Sequence, residues 1–364
     1  MQRNILKIVF VLFFYAISNN VFALDKPETL RVRYTGIIKD GLKSSETTIK
    51  IEAIKTLSDL KDKSSIQTIK SFLKDKSELV KIEAARGLSM LDDKSGIAVL
   101  IEIIKSKVVV QYNDPPTKRA KAMVKNMTCA KAVKALGETG DKASISLLKE
   151  LSKDKDGQIK DAAIIALMKT GDRTDEKLFI EGLNSYEMVV RQKSCEVLGD
   201  LKEEKVKDTL KSFLKHWDKG VKQSACIALG KIGDKTYGEN IAGLLEDKDE
   251  VLRMAAAESL GYLGDPKYVP RLREKLNDTN GFVRLYALES LYKLGDTINS
   301  NFIIASLRST DADARQKAVN IMALYGGSES IEILDDLYKY ERNELIRINI
   351  AGAIVKILSR TKEK

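Results

Sequence analysis

The sequence predicts an all-α solenoid. Three observations carry this: a 31-residue internal period, helical spacing of apolar residues within each period, and a shortage of aromatic residues and prolines. Of 364 residues, 43% are hydrophobic and 31% charged, while aromatics make up 6% and only five are proline. That mix favours helices over a sandwich or barrel. A globular chain of this length would divide into two or three domains, but a fixed period overrides that division.

The period is visible in a phrase written twice, ALGETGDK at 135–142 and ALGKIGDK at 228–235. The glycines of successive GD phrases are Gly140, Gly171, Gly233, Gly264 and Gly295, spaced 31, 62, 31 and 31. The skipped beat falls at Lys202, inside VLGDLKEE, and Gly326 adds one more at 31. A leucine column keeps the same time at Leu57, Leu88, Leu136, Leu167, Leu198, Leu229, Leu260 and Leu291. Twelve residues after each stands a second apolar position, from Ile69 to Ile303. Four before each is a small residue, and seven before is usually a base.

Within one unit the spacing is helical. In DEVLRMAAAESLGYLGD, Val251, Ala256, Leu260 and Leu263 share one face. Asp249 stands where an N-cap belongs, with counterparts at Asp156, Glu187, Asp218, Asn280, Asp311 and Asn343. Gly264 stands where a C-cap glycine belongs. A shorter apolar-periodic run follows, with Val269, Leu272 and Leu276 inward. Each unit is thus a helical hairpin that needs its neighbour to cover its apolar stripe. The spacing gives about ten units, and at roughly 10 Å per packed helix the array would extend on the order of 90 Å.

These starts and turns (Asp249-Glu250-Val251-Leu252-Arg253, Asn280-Gly281-Phe282-Val283-Arg284 and the ALGxxGD phrases) resemble the HEAT-repeat family, in particular its short bacterial, phycobilin-lyase-type form. The resemblance covers about residues 45–360 and implies a right-handed α-solenoid. It also implies that Arg191, Arg253, Arg284 and Arg315 are structural, bonding to acidic turn residues in a ladder. The family includes scaffolds, adaptors and a few enzymes.

Outside the repeats, residues 1–23 read as a secretory signal peptide. Arg3 and Lys7 precede a short apolar run, and Val21-Phe22-Ala23 fits a cleavage site after Ala23. The chain is therefore expected to be exported, periplasmic or secreted. Residues 24–44 alternate Leu30, Val32 and Tyr34 with Arg31 and Arg33, the pattern of a half-buried strand capping the first repeats. Pairing of that strand with residues 108–112 is expected. The solenoid proper is placed at 45–364. A basic insertion at about 105–125 breaks its period, with 17 extra residues and six bases against one acid. There 107–112 is strand-like, Asn113-Asp114-Pro115-Pro116 is a turn, and from Thr117 a helix aligns Ala120, Met123, Met127 and Ala130. Lys118, Arg119 and Lys121 make this insertion a candidate docking point for a protein or an anionic envelope surface.

No arrangement for reaction stands out, and neither a metal nor a cofactor site is expected. The single histidine, His216, falls in a turn beside the only tryptophan. Without its leader the chain carries 60 basic against 52 acidic residues. That modest excess and the export signal argue against nucleic acid as partner. Cys195 and Cys226 occupy one column a repeat apart, roughly 10 Å, beyond the roughly 7 Å reach of a disulfide. They are expected as buried, unpaired thiols, and Cys129, in the basic column, as more exposed. Tyr262 and Tyr286 align with polar positions on helices that, by the resemblance, line the concave side. With Lys231 and Lys293 they form the expected binding face. The expected function is a non-enzymatic scaffold or adaptor of the envelope that binds another protein across its concave face. The alternatives are a lyase-like or chaperone subunit handling a cofactor, and envelope-surface binding through the insertion.

Overall fold

A computed structural model describes residues 26–111, 113–296 and 301–361. Among them are 20 α-helices and no strand. They form ten hairpins, and in all but the first a short helix is followed by a long one. The long helices are Thr47–Asp59, Glu78–Met90, Pro116–Glu138, Gly157–Lys169, Met188–Asp200, Lys219–Ile232, Glu250–Leu263, Gly281–Lys293, Ala312–Tyr325 and Glu344–Thr361. Residues 1–23, expected to be a signal peptide, lie outside the described residues.

Most of the expected caps form. Asp249 accepts from the Val251 amide at 2.9 Å, and Asp156, Asp218, Asn280, Asp311 and Asn343 do likewise at their own helices. Glu187 makes no side-chain cap bond. The turn column is left-handed at Gly140, Gly171, Gly233, Gly264 and Gly295. Lys202, at the skipped beat, adopts the same conformation (φ 54°), as do Lys61 and Asp92 one and two turns into the array. The turn geometry therefore persists where its glycine does not. Gly326 departs from it, with an extended backbone (φ −66°, ψ 146°).

Side-by-side packing of the long helices is set by small residues. Gly137, Gly199, Gly230 and Gly261 each follow the column leucine. Each lies against a small residue, Ala166, Ala228, Ser259 or Ser290, one unit on. A Cβ on Gly230 would stand 2.6 Å from the Ser259 carbonyl oxygen and 2.7 Å from its Cα, so no side chain fits. At Gly157–Lys169 and Met188–Asp200 the column holds Met168 and Val197 instead, and scarcely any of their Cα atoms come within 8 Å. The core consists of three apolar clusters, and one boundary falls within Gly157–Lys169, whose Ile164 and Met168 join Cys195, Val197 and Leu198 while Ile159, Ala163 and Leu167 belong to the preceding cluster.

Other successive long helices approach closely, while successive short helices scarcely meet within 8 Å. The array therefore curves with its long helices inward. It curves far enough that its ends meet, so the expected 90 Å extension does not hold. A helix that packs tightly on one side and loosely on the other turns each hairpin the same way, and ten such turns close. The last helix, Glu344–Thr361, packs against both Thr47–Asp59 and Pro27–Gly41. One apolar cluster accordingly contains Leu30, Tyr34, Ile38 and Leu57 together with Leu334, Ile350, Ile354 and Leu358.

The strand expected within 24–44 is instead the helix Pro27–Gly41, the first helix of the first hairpin and equivalent to the short helices of the others. Leu30, Tyr34 and Ile38 recur every four residues, which fits one face of a helix as well as an alternating strand. All three are buried, whereas Val32, which the alternation would bury, is exposed. Pro27 starts the helix at a position where its missing N–H costs nothing. Its proposed strand partner is likewise irregular over 107–111, and Tyr112 lies outside the described residues. Asn126 holds this segment through both the Val108 amide (2.9 Å) and carbonyl (3.0 Å).

Candidate functional site: the inner wall and the rim

The four residues of the expected binding face come together on the inner wall. Lys231, Tyr262 and Lys293 occupy one column on three successive long helices. Tyr262 is sandwiched there, with Lys231 Nζ 5.9 Å and Lys293 Nζ 4.4 Å from its ring centroid. Its hydroxyl donates to Glu258 at 3.1 Å. Lys231 also pairs with Asp200, the preceding member of the column, at 2.7 Å. Tyr286 is half-buried one helix on, beneath Lys317, whose Nζ sits 4.1 Å from its centroid. Glu289 joins the two tyrosines' surroundings by pairing with both Lys293 (3.1 Å) and Lys317.

Burial, then the carboxylate of Glu258, pushes the Tyr262 phenol up, and burial followed by Glu258 and Glu289 does the same for Tyr286. Both therefore stay neutral at physiological pH and present hydroxyls and ring faces. Burial alone would raise Glu289. The hydrogen bond from Lys317 and the charges of Lys317 and Lys293 outweigh it and hold the carboxyl below its ordinary range. Glu258, Glu289 and Lys317 were not singled out in the sequence, although Glu258 and Glu289 share a column two residues before the leucine.

This array opens onto a cleft of about 480 Å³ where the ends of the chain meet. Glu289 and Lys317 line one side of it, Glu52, Lys55 and Asp59 the other, and Asn349 and Lys356 its floor. The sequence gives no sign of this cleft, because its two sides are joined only by closure.

Lys118, Arg119 and Lys121 lie elsewhere. The helix Pro116–Glu138 begins early, so all three stand exposed on its first turns, at an edge of the array. Lys118 pairs with Asp114 at 2.8 Å. The stripe expected here faces outward at Met123 and Met127, while Ala122, Asn126, Cys129 and Val133 form the buried face.

The arginine column is structural, as the resemblance implies. Arg253 forks onto Asp278 (2.8 and 2.9 Å) and bonds the Asp247 carbonyl. Arg315 does the same with Glu341 and Ser309, and Arg284 bonds the Asp278 and Thr279 carbonyls. Arg191 bonds the Ser185 carbonyl, but where Arg253 meets an acid it meets His216 at 2.7 Å.

All three cysteines are unpaired and buried. Burial pushes the Cys195 and Cys226 thiols up to about 12, so they are inert as nucleophiles. Cys129, expected to be more exposed, is buried too. The inserted segment carries the chain over it, and its Sγ bonds the Ile103 carbonyl, taking the place of the basic side chain usual there.

A curved stack of helical hairpins that offers one continuous inner wall defines a repeat scaffold. A profile described as HEAT repeats matches residues 37–111, 176–239 and 239–300, more than half of the chain, and one described as PBS lyase HEAT-like repeat matches 129–154. The chain belongs to the HEAT-repeat family. No curated protein matches it. Among solved structures, human deoxyhypusine hydroxylase is 17% identical over 74% of this chain and 98% of its own (TM-score 0.33). The CpcE–CpcF complex of phycocyanin lyase from Nostoc sp. is 18% identical over 75% and 94% (TM-score 0.40). Kap121p is 12% identical over 91% and 43% (TM-score 0.38). These likenesses concern the repeat fold and carry no argument about function.

Proposed function

We propose that this protein is a non-enzymatic scaffold of the cell envelope that binds another protein along its inner wall, with residues 1–23 acting as its export signal. The observation that carries the reading is the array Lys231–Tyr262–Lys293–Glu289–Lys317–Tyr286. It spans four successive long helices, so a partner would be gripped by several repeats at once. Tyrosine rings flanked by paired charges offer apolar area at low entropic cost, with polar groups at their margins. That is the composition of energetically dominant interface positions. The binding is geometric, and no bond is made or broken.

The test is a photocrosslinking residue in place of Tyr262, irradiated in the native envelope, followed by identification of the adduct. The captured partner's affinity is then measured against Tyr262→Ala, Tyr286→Ala and Lys293→Ala combined. Loss of roughly tenfold or more is expected if these are dominant contacts. A partner held at full affinity by the triple variant sinks the reading.

A cofactor-handling subunit is the second reading. The cleft beside the array favours it, since its volume lies in the range of small-molecule sites, roughly 300–1,000 Å³. Protein purified from its native source would then carry colour or a bound small molecule released on denaturation.

A further inference from the structure

Each turn from a short helix into a long one lies on the same edge of the array, because every hairpin repeats the direction of the last. That edge carries unusual side chains in three of its hairpins. Tyr186 and Trp217 hold equivalent turn positions one repeat apart and are 97% and 78% exposed. The same position is lysine at Lys76, Lys107, Lys155 and Lys248. Val189, beside Tyr186, is also exposed. Trp217 stacks on His216 (centroids 5.4 Å apart, 30° between planes) at the tip of its turn.

The basic insertion leaves the array at this edge. Its helix starts ten residues before the equivalent start of Glu250–Leu263, a projection of roughly 15 Å at 1.5 Å per residue. The projecting turns carry Lys118, Arg119 and Lys121, followed by exposed Met123 and Val124. Capping carboxylates stand on both edges, Asp156, Asp218 and Asp249 on this one and Asp62, Asp93, Asp172 and Asp234 at the opposite GD turns, so the basic excess of this edge is carried by the projecting helix.

We propose that the edge bearing Tyr186, Trp217 and the projecting helix docks on an anionic lipid bilayer. Bases attract anionic headgroups over about a Debye length. Tryptophan and tyrosine settle at the depth of the headgroups, and a helix with bases flanking an apolar strip lies in the same plane. The apolar groups stand proud on separate turns of different hairpins, so a broad, deformable surface meets all of them. A folded protein would need a matching relief. The proposal is independent of the inner-wall reading, which concerns a face of the long helices and not the turns at their N-terminal ends.

Trp217 is the only tryptophan in the chain, so its fluorescence reports on this edge alone. The purified protein is mixed with vesicles of phosphatidylcholine, with or without phosphatidylglycerol. With phosphatidylglycerol, co-sedimentation and a blue shift of the emission are expected, both reversed by salt. Lys118→Glu, Arg119→Glu and Lys121→Glu together should weaken binding at least tenfold, since each charge is worth several-fold near such a surface. Tyr186→Ala with Trp217→Ala should weaken co-sedimentation by a similar factor. These side chains are solvated, so the variants fold. Tyr262→Ala, Tyr286→Ala and Lys293→Ala should leave vesicle binding unchanged, which separates this test from the previous one. Absence of binding to anionic vesicles overturns the proposal. So does binding that both rim variants retain in full, which would place it elsewhere in the chain. A blue shift with single-stranded DNA but not with vesicles overturns it in favour of nucleic acid.

Discussion

Tyr34 donates its hydroxyl to Asp335, which lies 301 residues away in sequence. The same carboxylate takes Arg33 at 3.3 Å and Lys339 at 2.9 Å. The bond joins the first short helix to the last one, and Tyr34 also meets Tyr338 edge-on at 5.4 Å. Burial, then the bond to Asp335, pushes the Tyr34 phenol up. A solenoid ordinarily leaves two terminal units with an uncovered apolar face. Here each terminal hairpin covers the other.

Closure rests on the packing device used between neighbours. A Cβ on Gly352 would stand 2.5 Å from Thr56 Cγ2, and Thr56 directly precedes the column leucine of the first long helix. Gly352→Leu should therefore open the ring before it unfolds any hairpin. Overpacking of this kind costs about 1–3 kcal/mol. Small-angle scattering should show a larger radius of gyration at unchanged helical content by circular dichroism. An unchanged radius would mean that Gly352 does not govern closure.

The same device predicts a gradient along the wall. Gly230→Val meets backbone at Ser259, which cannot swing aside, so the helices Lys219–Ile232 and Glu250–Leu263 must separate. A loss of about 3 kcal/mol or more is expected from overpacking plus the strain of moving a helix. Met168→Leu, at the pair already apart, should cost less than about 1.5 kcal/mol, as volume-conserving core exchanges do. Chemical denaturation of both variants checks the ordering.

Much of this was legible in the letters, and the limits have physical causes. The leucine column, the caps and even the skipped beat at Lys202 could be read because each is a local problem solved again every 31 residues. The alternation at Leu30, Val32 and Tyr34 misled because Ile38 completes a spacing of four that serves helix and strand alike. Closure was hidden because it sums small rotations over ten units, and no single residue encodes the total. Tyr262 and Tyr286 were found because they stand where other units place polar residues. Glu289 and Lys317 were passed over because a charge in a charged column draws no notice until its partner is known. Cys129 was misplaced because an insertion shifts what covers a position without changing its place in the count.

Stability should fall in acid over a defined window. Asp93, Asp172 and Asp234 are all held down to about 2. The hydrogen bond from Lys70 is the main cause for Asp93, that from Thr174 for Asp172, and that from Lys207 for Asp234. Unfolded aspartates titrate near about 3.9. Below that value the unfolded chain binds protons that the folded one refuses, so the contribution is full above about 4 and disappears as pH approaches 2. Urea midpoints should be level between pH 5 and 7 on this account and decline from about 4 downward. Asp234→Asn should flatten part of that decline, and an identical slope in the variant would remove Asp234 from the explanation.

His216 occupies the place where Asp278 and Glu341 serve Arg253 and Arg315, and it serves badly. Its Nδ1 is 3.0 Å from the Asp218 amide, and its Nε2 is 2.7 Å from Arg191 Nη1. Both neighbours are donors, yet a neutral imidazole offers one acceptor nitrogen. Whichever tautomer forms, one contact sets donor against donor. Arg191 Nε is meanwhile buried without a partner, whereas Arg253 Nε bonds Asp278 at 2.8 Å. An aspartate at this position would accept from the Asp218 amide and from the arginine together. His216→Asp should therefore raise stability by about 1 kcal/mol or more, the net worth of hydrogen bonds to charged groups. Arg191→Lys in the same background should cancel most of the gain, because an ammonium cannot fork across the carboxylate. Thermal unfolding of the two variants decides it: a His216→Asp protein less stable than its parent would show that the imidazole's stacking on Trp217 outweighs the missing ladder bond.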